Sequence, residues 1–143
     1  MNQDGKSNGI TAPNADAQAT LQRSIYEKFN INPENIQLVE THGTGTALGD
    51  PVEIDALTES FNSYTDKRHF CALTSVKSNI GHTACLAGVA GVIKTALAIK
   101  NKELPPTANF TSLNPHLDLS ESPFFVNDSR RKWSQKEGCV TPQ

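Results

Sequence analysis

The sequence predicts an α/β fold with a layered sheet, and three observations carry the prediction. Short apolar runs suited to strands alternate with segments whose apolar residues recur at helical spacing. The run Ile36-Gln37-Leu38-Val39-Glu40 leads into a glycine and threonine loop and then into a strong helix start. The run Cys71-Ala72-Leu73-Thr74-Ser75-Val76 leads through a second polar corner into a long apolar helix. No internal repeat and no low-complexity tract interrupts this order.

Taken in order, residues 1–13 hold Asn, Gly, Asp, Ser and Pro and read as loop. A first helix is expected from Asp16 to Phe29, with Leu21, Ile25 and Phe29 on one face. Residues 31–35 form a turn and 36–40 a short strand. Asp50-Pro51-Val52-Glu53 then opens a helix, with Asp50 at N-cap, Pro51 at N1 and Glu53 at N3 closing a capping box. That helix buries Ile54, Leu57 and Phe61 and ends near Ser63. The strand over 71–76 is rich in β-branched residues.

The next helix, from His82 to Lys100, is apolar nearly all round. It is thin along Ala84, Cys85, Ala87, Gly88, Ala90 and Gly91, so neighbours can approach and the middle of a domain is its expected place. Its span, 80–99, approaches membrane-crossing length. A lysine at mid-span, here Lys94, costs roughly 2.5–3.5 kcal/mol on insertion scales, so a buried core helix is the expectation. Pro105-Pro106 and Pro115 give an irregular passage with one strand at 124–126. Residues 128–143 are polar and expected to be a poorly ordered tail.

With 143 residues, the chain suits one domain or part of one, and 36% hydrophobic residues is low for a self-contained domain. Thirteen basic and fifteen acidic residues give a net charge of −2 with no block of like charge, which excludes a nucleic-acid or anionic-membrane footprint. Three widely spaced cysteines, Cys71, Cys85 and Cys139, argue against a disulfide scaffold and for a reducing cytoplasm. The N-terminus carries no apolar signal core.

Two corners carry the candidate chemistry. His42 stands at the exit of the first strand, where a side chain reaches a cleft. Gly43 and Gly45 let the backbone approach a ligand, and Thr44 and Thr46 add hydroxyls. The spacing G-x-G-x-x-x-G is one residue longer than the dinucleotide fingerprint, and no downstream acid suits the ribose, so a nucleotide loop is rejected. On the residues alone two readings stand: a site histidine, or a strand cap beside a tight turn.

At the second corner Lys77 leaves a strand and His82 is expected in the first turn of a helix. The dipole there disfavours the imidazolium, leaving a neutral donor suited to an oxyanion. A lysine at this corner can hold a carboxylate or tune an imidazole. Taken singly, Lys77 also reads as a surface ion-pair partner and His82 as a helix cap. Two imidazoles at two strand-to-helix corners are what a site needs to hold a thioester or carboxylate between them.

The cysteines add no nucleophile. Cys85 follows His82 at H-x-x-C spacing, but no second ligand pair follows, so no metal is expected. Among apolar neighbours Cys85 reads as a small core residue. Cys71 begins a strand and Cys139 lies in the tail, neither with a base nearby in sequence.

Three strings together resemble the ketosynthase (beta-ketoacyl synthase) domain of modular type I polyketide synthases, in its later portion. They are His42-Gly43-Thr44-Gly45-Thr46 with Leu48-Gly49-Asp50-Pro51, Val76-Lys77-Ser78-Asn79-Ile80-Gly81-His82-Thr83, and the N-terminal block from Asn2 to Asn14. The resemblance implies a thiolase-like layered αβα fold, of which residues 1–143 are the C-terminal portion. The nucleophilic cysteine would lie in sequence before Met1, and the closing strands after Gln143.

It implies that His42, His82 and Lys77 are catalytic-site residues, with Lys77 supporting His82. Thr44 and Thr46 would line the channel for a phosphopantetheine arm. The implied reaction is decarboxylative Claisen condensation of an acyl thioester with a malonyl unit on an acyl carrier protein. The resemblance further implies that no cofactor is bound directly, that the complete domain is a homodimer and that its expected place is the cytoplasm. The alternative is a non-catalytic fragment or split half that acts by assembling with a partner chain.

Overall fold

The computed structural model describes residues 14–134. The block Asn2–Asn14, apart from Asn14 itself, and Cys139 lie outside the described residues. Helix α1 spans Ala15–Lys28, its start held by the Asn14 side chain, which accepts the Ala17 N–H at 3.1 Å. A 3₁₀ turn at Pro33–Asn35 leads to β1, Leu38–Glu40. Helix α2 spans Gly49–Asn62 and β2 spans Cys71–Thr74. A one-turn helix α3, Lys77–Ile80, precedes α4, Ala87–Asn101. The short β3, Glu103–Leu104, then β4, Phe124–Val126, and β5, Arg131–Lys132, complete the described chain.

Strands β1, β2 and β4 form a parallel sheet with β2 in the centre. All four β2 residues are buried, as a strand covered on both faces requires. Because β1 and β2 run parallel, a crossover must join them, and α2 is that crossover. The core forms where it returns: Ile54, Leu57 and Phe61 of α2 meet Cys71, Leu73 and Phe124. Phe61 and Phe124 pack edge to face with centroids 4.7 Å apart. All three residues expected to be buried on this helix are buried.

Several expectations are corrected. Helix α1 buries Ala19 rather than the face of Leu21, Ile25 and Phe29; Phe29 is 61% exposed because no described element covers that side. The capping box does not form. Helix α2 starts two residues earlier with Leu48 at its N-cap, and the two acids face the preceding loop instead.

The helix expected over 82–100 is broken. Gly81, at φ +76°, ends α3, a 3₁₀ turn follows at Ala84–Leu86, and α4 begins only at Ala87. Helix α4 is not interior among the described residues. It buries Ala87, Gly91 and Ala98 toward the sheet, while Val89, Val92, Ile93, Leu97 and Ile99 stay 51–69% exposed. Cys85 is exposed among the described residues, not a core residue; it lies in the 3₁₀ turn Ala84–Leu86, which buries none of its side chains. The stretch Ala84–Asn101 is long and apolar enough to cross a membrane, but its Lys94 is ion-paired to Glu40 of β1.

Of the stretch expected to be a tail, residues 128–134 are described. Strand β5 pairs antiparallel with β3, and the Trp133 indole N–H donates to Gln37 Oε1 at 2.9 Å. Arg130 grips the Glu103 carboxylate, which holds that carboxyl below its ordinary range. Polar composition concealed this pairing, because a two-residue strand has no periodicity to read. The remainder of the expected tail, from residue 135, lies outside the described residues.

Candidate active site

The site forms where β1 and β2 end side by side. The Thr41 N–H donates to Thr74 O at 2.8 Å, zipping the two exits together just before His42. Beyond it the loop passes close to β2. A Cβ on Gly43 would lie 2.7 Å from Thr41 Oγ1 and 3.0 Å from Ser75 Cβ, and its φ of +45° is one that glycine adopts without strain.

The N-terminal end of α2 holds this loop. The Glu53 carboxylate accepts the N–H of His42 at 2.6 Å and of Gly43 at 2.9 Å. Asp50 accepts the Gly45 N–H at 3.1 Å. The acids that sequence assigned to a helix cap therefore fix the backbone of the histidine loop.

On the β2 side Lys77 opens α3, half-buried, and its ammonium lies 3.3 Å from His42 Nδ1. An ammonium has only protons to give, so Nδ1 accepts and the neutral imidazole carries its proton on Nε2. The expectation that Lys77 supports His82 is corrected: its contact is with His42.

His82 is not in a helix first turn, since Gly81 has already ended α3. Its Nδ1 accepts the Ala84 N–H at 3.0 Å, which again places the proton on Nε2. Ala84 stands at φ +49°, a left-handed conformation costing roughly 1–2 kcal/mol for a residue with a Cβ. The two imidazoles meet edge to face with centroids 5.3 Å apart and planes at 87°. Both are exposed.

Two cavities flank these residues. One of about 730 Å³ is lined by Thr44, Lys77, Phe110 and His116; the other, of about 550 Å³, by His42, Lys77, Val92 and Ile99. The structure thus brings His42, His82 and Lys77 together and puts Thr44 on a cavity wall. Thr46 lines neither; its hydroxyl takes the Gly49 N–H at 3.1 Å. No group of three or more metal-ligating side chains occurs among the described residues.

Sequence reasoning missed Glu40, Glu53 and Lys94 as site components. A signal existed for Lys94, since a lysine inside an apolar helix needs a counter-charge once it is buried.

Residues 1–111 match the sequence profile of the beta-ketoacyl synthase C-terminal domain. The chain belongs to the beta-ketoacyl synthase family. Among curated relatives, this beta-ketoacyl synthase chain is 54% identical over 138 residues to polyketide synthase PksL of Bacillus subtilis, covering 96% of itself and 3% of that protein. It is 46% identical over 136 residues to PksM of the same organism, covering 95% of itself and 3% of PksM.

Among solved structures it resembles the ketosynthase from module 6 of the bacillaene synthase of Bacillus subtilis 168. The TM-score is 0.91 at 54% identity, over 96% of this chain and 25% of that one. The fold is α/β and is the C-terminal part of the thiolase-like ketosynthase architecture. The chain spans about a quarter of the ketosynthase it matches and a few per cent of the curated relatives.

Proposed function

We propose that this chain supplies the histidine and lysine side of a polyketide synthase ketosynthase site. On this reading residues 1–143 are the C-terminal portion of that domain, and a cysteine from its remainder accepts the acyl chain. The observation that carries the proposal is the pair of imidazoles 5.3 Å apart, each with Nδ1 occupied and Nε2–H free to donate.

A malonyl thioester, delivered on the phosphopantetheine of a carrier protein, loses carbon dioxide. The electron pair of the broken C–C bond passes to the thioester oxygen as an enolate. The Nε2–H groups of His42 and His82 donate to that oxygen as charge develops. The enolate carbon then attacks the acyl thioester on the cysteine, a C–C bond forms, and the cysteine leaves as thiolate. Lys77 holds His42 through Nδ1. Thr44, on the larger cavity, is placed to meet the pantetheine arm.

The exposed face of α4 supports a further element of the reading: the remainder of the ketosynthase packs there, within a cytoplasmic homodimer. The split-half alternative draws on the same face, with a separate chain as the occupant.

Replacing His82 by Ala in the complete ketosynthase tests the assignment. Loss of one oxyanion donor lowers rates by about 10²–10³-fold, so malonyl decarboxylation is expected to fall by at least about 100-fold. Undiminished decarboxylation would overturn the role of His82.

A further inference from the structure

The Glu40 carboxylate is only 12% exposed, yet β2, the turn at Val76 and α4 all converge on it. One oxygen accepts the backbone N–H of Val76, the residue before Lys77. The other accepts the Thr74 hydroxyl at 2.8 Å and the Lys94 ammonium at 2.9 Å. Glu40 itself ends β1, two residues before His42. Helix α4 comes so near that a Cβ on Gly91 would sit 3.1 Å from Glu40 Cγ.

We propose that Glu40, with Lys94 as its counter-ion, is a positioning residue: it locks the exits of β1 and β2 to α4 and so sets the distance between His42 and Lys77. The inference rests on the ketosynthase reading above for its kinetic consequence, though its geometry does not.

Stability alone gives little reason to place this pair here. A buried ion pair replaced by packed hydrophobic residues is often no less stable, because desolvating two charges offsets their attraction. What a hydrophobic pair lacks is acceptor capacity. A single carboxylate can take several donors at once and bind separate elements to one point.

The geometry makes that point consequential. Glu40 reaches Val76 N–H directly, so the backbone roots of His42 and Lys77 are tied across the strand exits. Their side chains then meet at 3.3 Å, and the Thr41 N–H to Thr74 O bond is a second tie between the same exits. Freeing the tether leaves the Thr41–Thr74 bond in place but releases the turn at Val76 from which Lys77 springs, and a misplacement of about 1 Å at a catalytic group can lower rates about 10²-fold.

The test uses the complete ketosynthase with Glu40→Gln, which keeps the shape and removes the charge. The kcat for malonyl decarboxylation is expected to fall about 10- to 100-fold with KM within about twofold. In a Lys77→Met background the same change is expected to lower kcat by less than about threefold, because the tether has lost the group it positions. Equal losses in both backgrounds, or an unchanged kcat in the parent, overturn the proposal.

Thr74→Val removes one donor to the carboxylate without altering charge, and is read in place of Glu40→Gln if that variant does not fold. It is expected to lower kcat about 3- to 10-fold, again only where Lys77 is present; a loss independent of Lys77, or none, overturns the proposal. A ketosynthase inactive before any substitution would overturn the function reading alone. The ¹⁵N resonance of His42 Nδ1, assigned with His42→Gln, still reports the tether. It is expected to move in Glu40→Gln and in Thr74→Val, and an unmoved resonance in both overturns the positioning role.

Discussion

Replacing Glu53 by Gln probes the part of the site that sequence reasoning read as a helix cap. The carboxylate takes two backbone N–H groups, from His42 at 2.6 Å and Gly43 at 2.9 Å. Hydrogen bonds to a charged group contribute about 1.5–3 kcal/mol each. Gln keeps one acceptor and turns an NH₂ group toward the second N–H, so one bond is lost and the other loses its charge assistance. His42 is exposed, and water recovers part of the loss. The net weakening of the loop is then about 1–2 kcal/mol, a factor of about 5 to 30. Native-state amide exchange in the complete ketosynthase reads this directly. Exchange over residues 42–45 is expected to accelerate by that factor while residues 71–74 of β2 are unaffected. Malonyl decarboxylation is expected to fall by no more than the same factor, in kcat. Exchange over 42–45 within about twofold of the parent would refute the claim that Glu53 holds the histidine loop.

Two further outcomes follow from the packing of α4. Gly91→Ala places a methyl 3.1 Å from Glu40 Cγ, tighter than ordinary contact, while Ala gains about 1 kcal/mol of helix propensity over Gly. The melting temperature of the complete ketosynthase is therefore expected to change little while decarboxylation falls several-fold, and an unchanged rate contradicts the close approach. Among the described residues the apolar face of α4 is open, so the 143-residue chain alone is expected to associate or to melt without cooperativity. Light scattering and calorimetry check this, and a sharp two-state melt from a monomer contradicts it.

What was legible in the sequence followed periodicity and composition. The α2 face of Ile54, Leu57 and Phe61 and the buried run of β2 were visible because burial on one side imposes a repeat, and burial on both sides imposes continuity. The two histidines were visible from their corners and their flanking strings. Hidden were the features that depend on which partner wins a competition. Asp50 and Glu53 suit a helix cap by spacing, but the loop amides of residues 42, 43 and 45 lie within reach and need acceptors more. Lys77 stood near both histidines in any plausible arrangement, and only the zipped exits of β1 and β2 select His42. The helix expected over 82–100 failed in its first turns, where Ala84 stands at φ +49° and a 3₁₀ turn precedes α4, a backbone choice that a hydrophobicity pattern does not record.

The same geometry explains why donors alone do not complete this site. An oxyanion is stabilised strongly by fixed N–H groups only where water is excluded and the dielectric is low. Here the donors are already oriented: Lys77 and the Ala84 N–H occupy the two Nδ1 atoms, and Glu53 holds the backbone beneath His42. Yet both imidazoles are exposed, and the flanking cavity is walled on one side by the half-covered face of α4. Among the described residues the buried Thr83 hydroxyl, next to His82, also has no hydrogen-bond partner. Orientation is therefore a local property of these corners, whereas the low dielectric must come from whatever covers α4. This separation makes a specific demand on the complete ketosynthase. Covering α4 should raise the rate by excluding water, without altering which nitrogen of either histidine carries the proton.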